Sequence, residues 1–241
     1  MTRVEHVMGM PIVVEVRDND AGAALDDVFS WFRWVDAVFS TYKEDSEISR
    51  IGRGELALDD AAPEVRVVLA RCEELRAETG GYFDMHACGF DPSGLVKGWA
   101  VDRASAILDA AGLRNYAVNA GGDILLRGPS WRVGVQHPLE PMAVVKVIEG
   151  GDLAIATSGA YERGHHVLDP HTGRAPDGIL SVTVTGPDLA TADAYATAAF
   201  AMGARRAMDW TARLRGYQAL TILADGRMLL TPGFPACGAP D

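Results

Sequence analysis

One strand-like run is followed by three helical stretches in succession, and that order leaves no room for a regular strand–helix–strand repeat. Ile12-Val13-Val14-Glu15-Val16 reads as the strand. Beyond Asp18-Asn19-Asp20, the apolar residues Leu25, Val28, Phe29, Phe32 and Val35 recur at helical spacing. A second helix is expected over residues 60–79, striped by Val65, Val68, Leu69, Cys72 and Leu75, with Pro63 in its first turn and Gly80-Gly81 just past its end. A third is expected over 93–111, stopped by Gly112. The rest of the chain is richer in strands, expected at 116–118, 124–126, 131–135, 144–148, 167–168 and 179–185. A helix through Asp193 to Met202, another over 204–214, and a hairpin of 220–223 with 228–230 turned by Asp225-Gly226 complete the order. These elements predict an α+β fold, strands and helices mixed in one domain over 1–241, and not a doubly wound parallel sheet.

A chain of 241 residues that is 48% hydrophobic and 23% charged can bury a substantial core. Its formal charge of −11 excludes a nucleic-acid binder, which needs clustered Lys and Arg. An anionic ligand therefore needs local help from a metal, a lysine or backbone amides. Cys72, Cys88 and Cys237 show no CxxC spacing, so neither a disulfide framework nor a zinc site is expected, and a reducing compartment fits. No N-terminal apolar segment and no bilayer-length apolar run is present, so the expectation is a soluble, cytoplasmic protein.

The strongest chemical signal is Thr191-Ala192-Asp193-Ala194-Tyr195-Ala196-Thr197. Asp193 and Thr197 stand four residues apart in a small, apolar helix, so both oxygens share one face. A carboxylate and a hydroxyl suit a hard cation such as Mg²⁺; the alternative is an Asp near a helix N-terminus, with Thr197 simply packed. Tyr42, in the polar segment 39–50, either offers its ring face to a planar ligand or covers the end of the preceding helix. Tyr82, Phe83 and Asp84 lead closely to Asp91, Gly94 and Lys97, where a helix N-terminus favours phosphate and Lys97 adds positive charge. Asp91 beside Pro92 is equally a plain cap. His86 and Cys88 have no partner at useful spacing and read as structural. In Asn119-Ala120-Gly121-Gly122-Asp123 the glycines permit close approach of backbone to a ligand, or simply make a hairpin turn. Thr157 and Ser158, within 156–163, can line a polar pocket, although Ser158 lacks the GxSxG elbow of a nucleophile. His165 and His166, adjacent in an extended segment, point to opposite faces: one can face a site as acid or base, but the two cannot chelate one ion.

In this order, Met8-Gly9, residues 39–50, 91–102, 119–123, 156–163, 166–173, and 181–184 leading to Asp193 and Thr197 resemble the FAD:protein FMN transferases of the ApbE family, over most of the chain up to Gly203. The resemblance implies a T-fold-like domain that binds FAD and Mg²⁺ and breaks the FAD pyrophosphate. FMN is joined through a phosphoester to a Thr or Ser of an acceptor protein, and AMP is released. It implies Asp193 and Thr197 as metal-binding side chains and Gly94 as the donor of a backbone carbonyl. Met8, Tyr42, Tyr82, Phe83, Asp84, Asp91, Lys97 and His166 fall on flavin-contacting or active-site positions, with Tyr42 stacked on the isoalloxazine ring. Asn119, Gly121, Gly122, Asp123, Thr157 and Ser158 join them as expected cofactor-binding residues. His166 and Asp193 are the expected catalytic pair. His166 is the first candidate to take the acceptor hydroxyl's proton or to place the pyrophosphate, and another carboxylate near the metal is the alternative base.

Two departures accompany the resemblance. The chain runs from Phe83-Asp84-Met85 to Asp91 almost at once, where members of that family usually have a longer stretch, so a surface lobe is expected to be missing. Such proteins are also commonly exported and lipid-anchored, and neither signal stands in this sequence. Two rival readings keep the same residues: an FAD pyrophosphatase, in which water replaces the protein hydroxyl, and a module that carries FAD without turnover.

Overall fold

The computed structural model describes residues 1–87, 89–159 and 167–237. In chain order its elements are β1 (Thr2–Val7), β2 (Met10–Val16), α1 (Gly22–Phe39), α2 (Glu47–Gly52), α3 (Pro63–Glu78), α4 (Ser93–Ala110), β3 (Tyr116–Ala120), β4 (Asp123–Arg127), β5 (Trp131–Gln136) and β6 (Val144–Gly150). There follow β7 (Leu153–Gly159), β8 (Ile179–Gly186), α5 (Leu189–Ala201), α6 (Gly203–Thr211), β9 (Gln218–Leu223), β10 (Met228–Leu230) and β11 (Ala236–Cys237). Eight strands pair antiparallel in the order β1-β2-β3-β4-β7-β8-β9-β10, and β11-β6-β5 form a second antiparallel sheet. The expected α+β architecture is the one observed.

Alternation along the central strands sorts side chains into two cores. Leu125, Ala154, Ala156 and Ala219 face the helices, where they meet Leu25, Phe29 and Phe32 of α1 and the buried stripes of α3, α4 and α5 in one cluster. Their neighbours Leu126, Ile155, Leu220 and Ile222 face the other way and pack with Trp131, Val135, Ile148 and Phe234 of the smaller sheet and the C-terminal segment. The molecule is thus layered as helices, large sheet and small sheet. Each fully buried Leu, Ile or Phe in these layers contributes roughly 1.5–3 kcal/mol.

Some expected boundaries move, for local reasons. The helix expected over 60–79 begins at Pro63, because Ala62, held extended before the proline ring, is not helical; residues 58–60 make one separate 3₁₀ turn. No strand forms at Val167-Leu168. The chain there enters a turn in which Asp169 O accepts from the Thr172 and Gly173 N–H groups, closed by a single bridge from Asp169 to Arg174. Edge strand β1, the short helix α2 and strand β7 were not expected. Cys72 is buried in α3 as anticipated, and burial pushes its thiol up to about 12. Among the described residues no helix is long and apolar enough to cross a membrane.

Candidate active site

Close contact between α4 and α5 builds the site. At Gly98 a Cβ would lie 2.4 Å from the Leu189 carbonyl oxygen and 2.8 Å from Ala190 Cα, so only glycine lets the helices meet there. α5 contributes to the approach because most of its buried residues are alanine. One turn beyond Gly98, Asp102 accepts from the Leu189 and Ala190 N–H groups at 2.9 and 2.8 Å. Asp188 caps α5 itself, accepting from the Thr191 N–H at 2.8 Å. Held in this way, Asp193 of α5 faces Lys97, the residue before Gly98.

The Lys97 ammonium lies 2.5 Å from Asp123 Oδ2, at the start of β4, and 3.6 Å from Asp193 Oδ1. Asp123 and Asp193 are only 1% and 2% exposed, so both charges are withdrawn from water. Asp123 Oδ1 accepts from the Thr157 N–H of β7 at 2.9 Å. The ammonium holds Asp123 Oδ2 directly, while Asp193 Oδ2 is buried with no hydrogen-bond partner. Burial raises the Asp193 carboxyl above its ordinary range, Lys97 opposes the rise, and the Asp123 charge adds to it. Two buried carboxyls share one ammonium, so ionising both is costly unless further positive charge is present.

Hydroxyls complete the oxygen set. Ser158 Oγ and Thr197 Oγ1 are 3.2 Å apart, whereas the Thr157 side chain alternates to the other face of the sheet, its Oγ1 2.9 Å from Thr183 Oγ1. Among the described residues no three His, Cys, Asp or Glu side chains gather as a metal cluster. Two carboxylates with adjoining hydroxyls are instead the hard, oxygen-only donors that suit a Mg²⁺-like ion, which takes few protein carboxylates and keeps water.

The β3–β4 turn borders the cluster. Gly121 and Gly122, at φ +59° and +102°, join paired Ala120 and Asp123 in a two-residue hairpin turn that demands positive φ at both positions. Asn119 Oδ1 accepts from the Gly122 N–H at 2.9 Å, and the Gly121 N–H donates to Pro11 O at 3.3 Å. A Cβ on Gly121 would approach Met10 Sδ to 3.0 Å, so the β1–β2 hairpin lies against this turn. Met8, at the tip of that hairpin, has φ +57°, an uncommon conformation for a bulky side chain, and is half-buried against the main core.

Gly94 precedes Lys97 by one turn of α4, and a Cβ there would meet the Phe83 ring at 3.1 Å. Phe83 is buried; Asp84 accepts from the His86 N–H at 2.9 Å and pairs with Arg76 at 3.2 Å. Asp91 is exposed, and its side chain accepts from the Ser93 N–H at 2.8 Å, the capping alternative. Tyr82 accepts from Arg206 Nη1 at 2.6 Å and meets His171 edge-on, centroids 4.6 Å apart. Tyr42 stands apart beyond the end of α1, 93% exposed, so it covers no helix end.

Of the expected site residues, Lys97, Asp123, Ser158, Asp193 and Thr197 are therefore brought together, Thr157 joins them through its N–H alone, and Asn119, Gly121 and Gly122 stand in the adjoining turn. His165, His166 and Cys88 lie outside the described residues. Asp102, Thr183, Arg206 and His171 were not singled out from the sequence. Only Asp102 left a signal, standing four residues after Gly98 and so on the same helical face.

Comparison with known proteins places this geometry in a family. The ApbE family matches residues 8–90 and 86–221. The FAD:protein FMN transferase of Vibrio cholerae is 39% identical over 133 residues, 49% of this chain and 40% of that protein. That of Rhodobacter capsulatus is 35% identical over 176 residues, 62% of this chain and 33% of that protein. The chain thus spans less than half the length of these relatives. Among solved structures, the flavin transferase ApbE from Vibrio cholerae superposes with a TM-score of 0.84 at 24% identity, and the ApbE protein from Thermotoga maritima with 0.87 at 23%, each over 97% of both chains. At those identities the superpositions carry the fold, while the family match covers most of the sequence. The chain belongs to the ApbE family.

Proposed function

We propose that residues 1–241 act as one flavin transferase domain that moves FMN from FAD to a Thr or Ser hydroxyl of an acceptor protein, in a Mg²⁺-dependent reaction that releases AMP. The observation that carries this reading is the buried Lys97–Asp123–Asp193 cluster, in which two carboxyls share one ammonium and Asp193 Oδ2 has no hydrogen-bond partner. Membership in a family whose named relatives are FAD:protein FMN transferases supplies the reaction.

Asp193, Thr197 and the Gly94 carbonyl would hold Mg²⁺, with Asp123 as the second carboxylate beside it. Bound there, a divalent cation neutralises charge that builds on the pyrophosphate oxygens. Lys97 opposes the rise that burial and Asp123 impose on the Asp193 carboxyl, and the Gly121-Gly122 turn, without side chains, lets a pyrophosphate approach the backbone closely. Asn119, Thr157 and Ser158 border that end of the ligand. Met8, Tyr42, Tyr82, Phe83, Asp84 and Asp91 border the flavin end, with the exposed Tyr42 ring free to stack on the isoalloxazine. The acceptor oxygen attacks the FMN phosphorus, the bond to the AMP phosphate breaks, and the hydroxyl proton passes to His166 or, as the alternative, to Asp123.

Mass spectrometry of a candidate acceptor incubated with the chain, FAD and Mg²⁺ tests this, with AMP followed in parallel. A gain of one FMN unit with AMP release is the expected result. AMP without labelling of any Thr- or Ser-containing acceptor would favour hydrolysis by water, and intact FAD would favour the carrier. His166→Ala is expected to slow transfer more than it weakens FAD binding; equal losses would make His166 a binding residue.

A further inference from the structure

We propose that Asp102 is a positioning residue for the site: by tying the first turn of α5 to α4, its carboxylate sets where Asp193 and Thr197 stand against Lys97. The inference rests on the reading of Asp193 and Thr197 as metal-binding side chains. Its basis is that one side chain of α4 serves two backbone donors of α5, Oδ1 taking the Leu189 N–H at 2.9 Å and Oδ2 the Ala190 N–H at 2.8 Å. Capping alone does not require this. α5 already has its own cap in Asp188, whose other oxygen accepts from the Tyr217 hydroxyl. A cap within the chain segment satisfies orphan N–H groups, whereas a carboxylate from a neighbouring helix also fixes slide and rotation between the two helices.

The placement makes that fixation matter. A Cβ on Gly98, one turn before Asp102, would lie 2.4 Å from Leu189 O, so the two helices meet backbone to backbone there, and Lys97 is the residue before it. The Asp102 strut and the Lys97–Asp193 contact therefore join the same two helices, and any slide of α5 changes the 3.6 Å separation at the site. Keeping a carboxylate largely out of water for two backbone hydrogen bonds is expensive in a way that a simple packing residue would not be.

Asp102→Asn keeps the shape but offers one acceptor oxygen where two N–H groups point. The probe is Mn²⁺, titrated into the full chain and read by its electron paramagnetic resonance signal, with circular dichroism and melting temperature alongside. Asp188→Ala is the comparison, because it removes the helix's own cap and leaves the α4 strut. Asp102→Asn is expected to weaken Mn²⁺ binding by about tenfold or more, as loss of a group supporting metal ligands does. Asp188→Ala should lower the melting temperature at least as much and leave Mn²⁺ affinity nearly unchanged. Equal affinity in wild type and Asp102→Asn, or equal losses in both variants, would overturn the proposal. A crystal structure of Asp102→Asn gives a readout independent of metal: α5 displaced and the Lys97–Asp193 separation changed supports it, and an unmoved α5 overturns it. Should wild type bind no Mn²⁺, the metal reading fails on its own, and the variant's structure still decides the role of Asp102.

Discussion

Along β7 and β9, the two faces of the large sheet are packed by opposite means. Towards the small sheet, Ile155, Leu220 and Ile222 meet Trp131, Ile148 and Phe234, large apolar groups whose worth is the surface they withdraw from water. Towards the helices, the corresponding strand positions are Ala154, Ala156 and Ala219, and α5 meets them with alanines of its own. Small side chains bring backbones together, and where α5 meets α4 at Gly98 the enclosed volume holds an ammonium and two carboxylates. One face is thus held by the burial of large apolar groups. The other is set by backbone contact, and its buried charges depend on that contact being kept.

Substitutions at matched depth separate the two faces. Gly98→Ala should have the largest effect, because the new methyl meets backbone that has no rotamer to escape into. A loss of about 3 kcal/mol or more in urea unfolding is expected, together with loss of FAD turnover in whatever fraction folds; wild-type stability would show that the helices are not in tight contact. Ile148→Ala, on the apolar face, should cost about 2–5 kcal/mol yet leave turnover per folded molecule unchanged. A selective loss of turnover there would break the contrast between the faces.

A smaller effect concerns pH. Burial raises the Asp102 carboxyl from 3.8 to about 6, against the two N–H bonds that lower it. The folded chain therefore holds this proton more tightly than the unfolded chain, so the group's contribution to stability is fullest below about pH 4 and is lost as pH rises through about 6. The stability difference between wild type and Asp102→Asn should fall by at most about 3 kcal/mol across that window; a difference that grows with pH would contradict the assignment. Smallest of all is the effect expected at Cys72. Its thiol, pushed up to about 12 by burial, should resist alkylation at pH 8 in a Cys88→Ser/Cys237→Ser background and react only once denaturant is added.

Much of the fold is legible residue by residue, and the failures share a cause. The stripe of Val65, Val68, Leu69, Cys72 and Leu75 and the glycines after it announce α3 because the helix buries one face alone. Strand β7, Leu-Ala-Ile-Ala-Thr-Ser-Gly, is hidden because its helix-facing residues are small, for reasons that exist only once α5 is in place. Edge strand β1 turns half-buried Arg3 and Glu5 towards α1, where they pair with each other and with Asp26 and Arg33, so its inner face carries charge and it reads as a polar terminus. α2 is a six-residue helix capped by Ser46, too short to show a period. At the site, the Asp193 and Thr197 spacing lies within one helix and is visible locally. The pairing of Lys97 with Asp123 joins α4 to a strand 26 positions away, and only the packed sheet brings it about. Asp102 is subtler still, since its partners are backbone N–H groups that carry no sequence signature.

The most direct test is AMP release from FAD in the presence of an acceptor protein, with and without Mg²⁺, by wild type and by Asp193→Ala, with circular dichroism confirming that both are folded. Removing a carboxylate whose burial is costly should spare the fold, so the account predicts a folded variant whose Mg²⁺-dependent AMP release falls to background. Near-normal release by folded Asp193→Ala would contradict it and take the chemistry away from the Lys97–Asp123–Asp193 cluster.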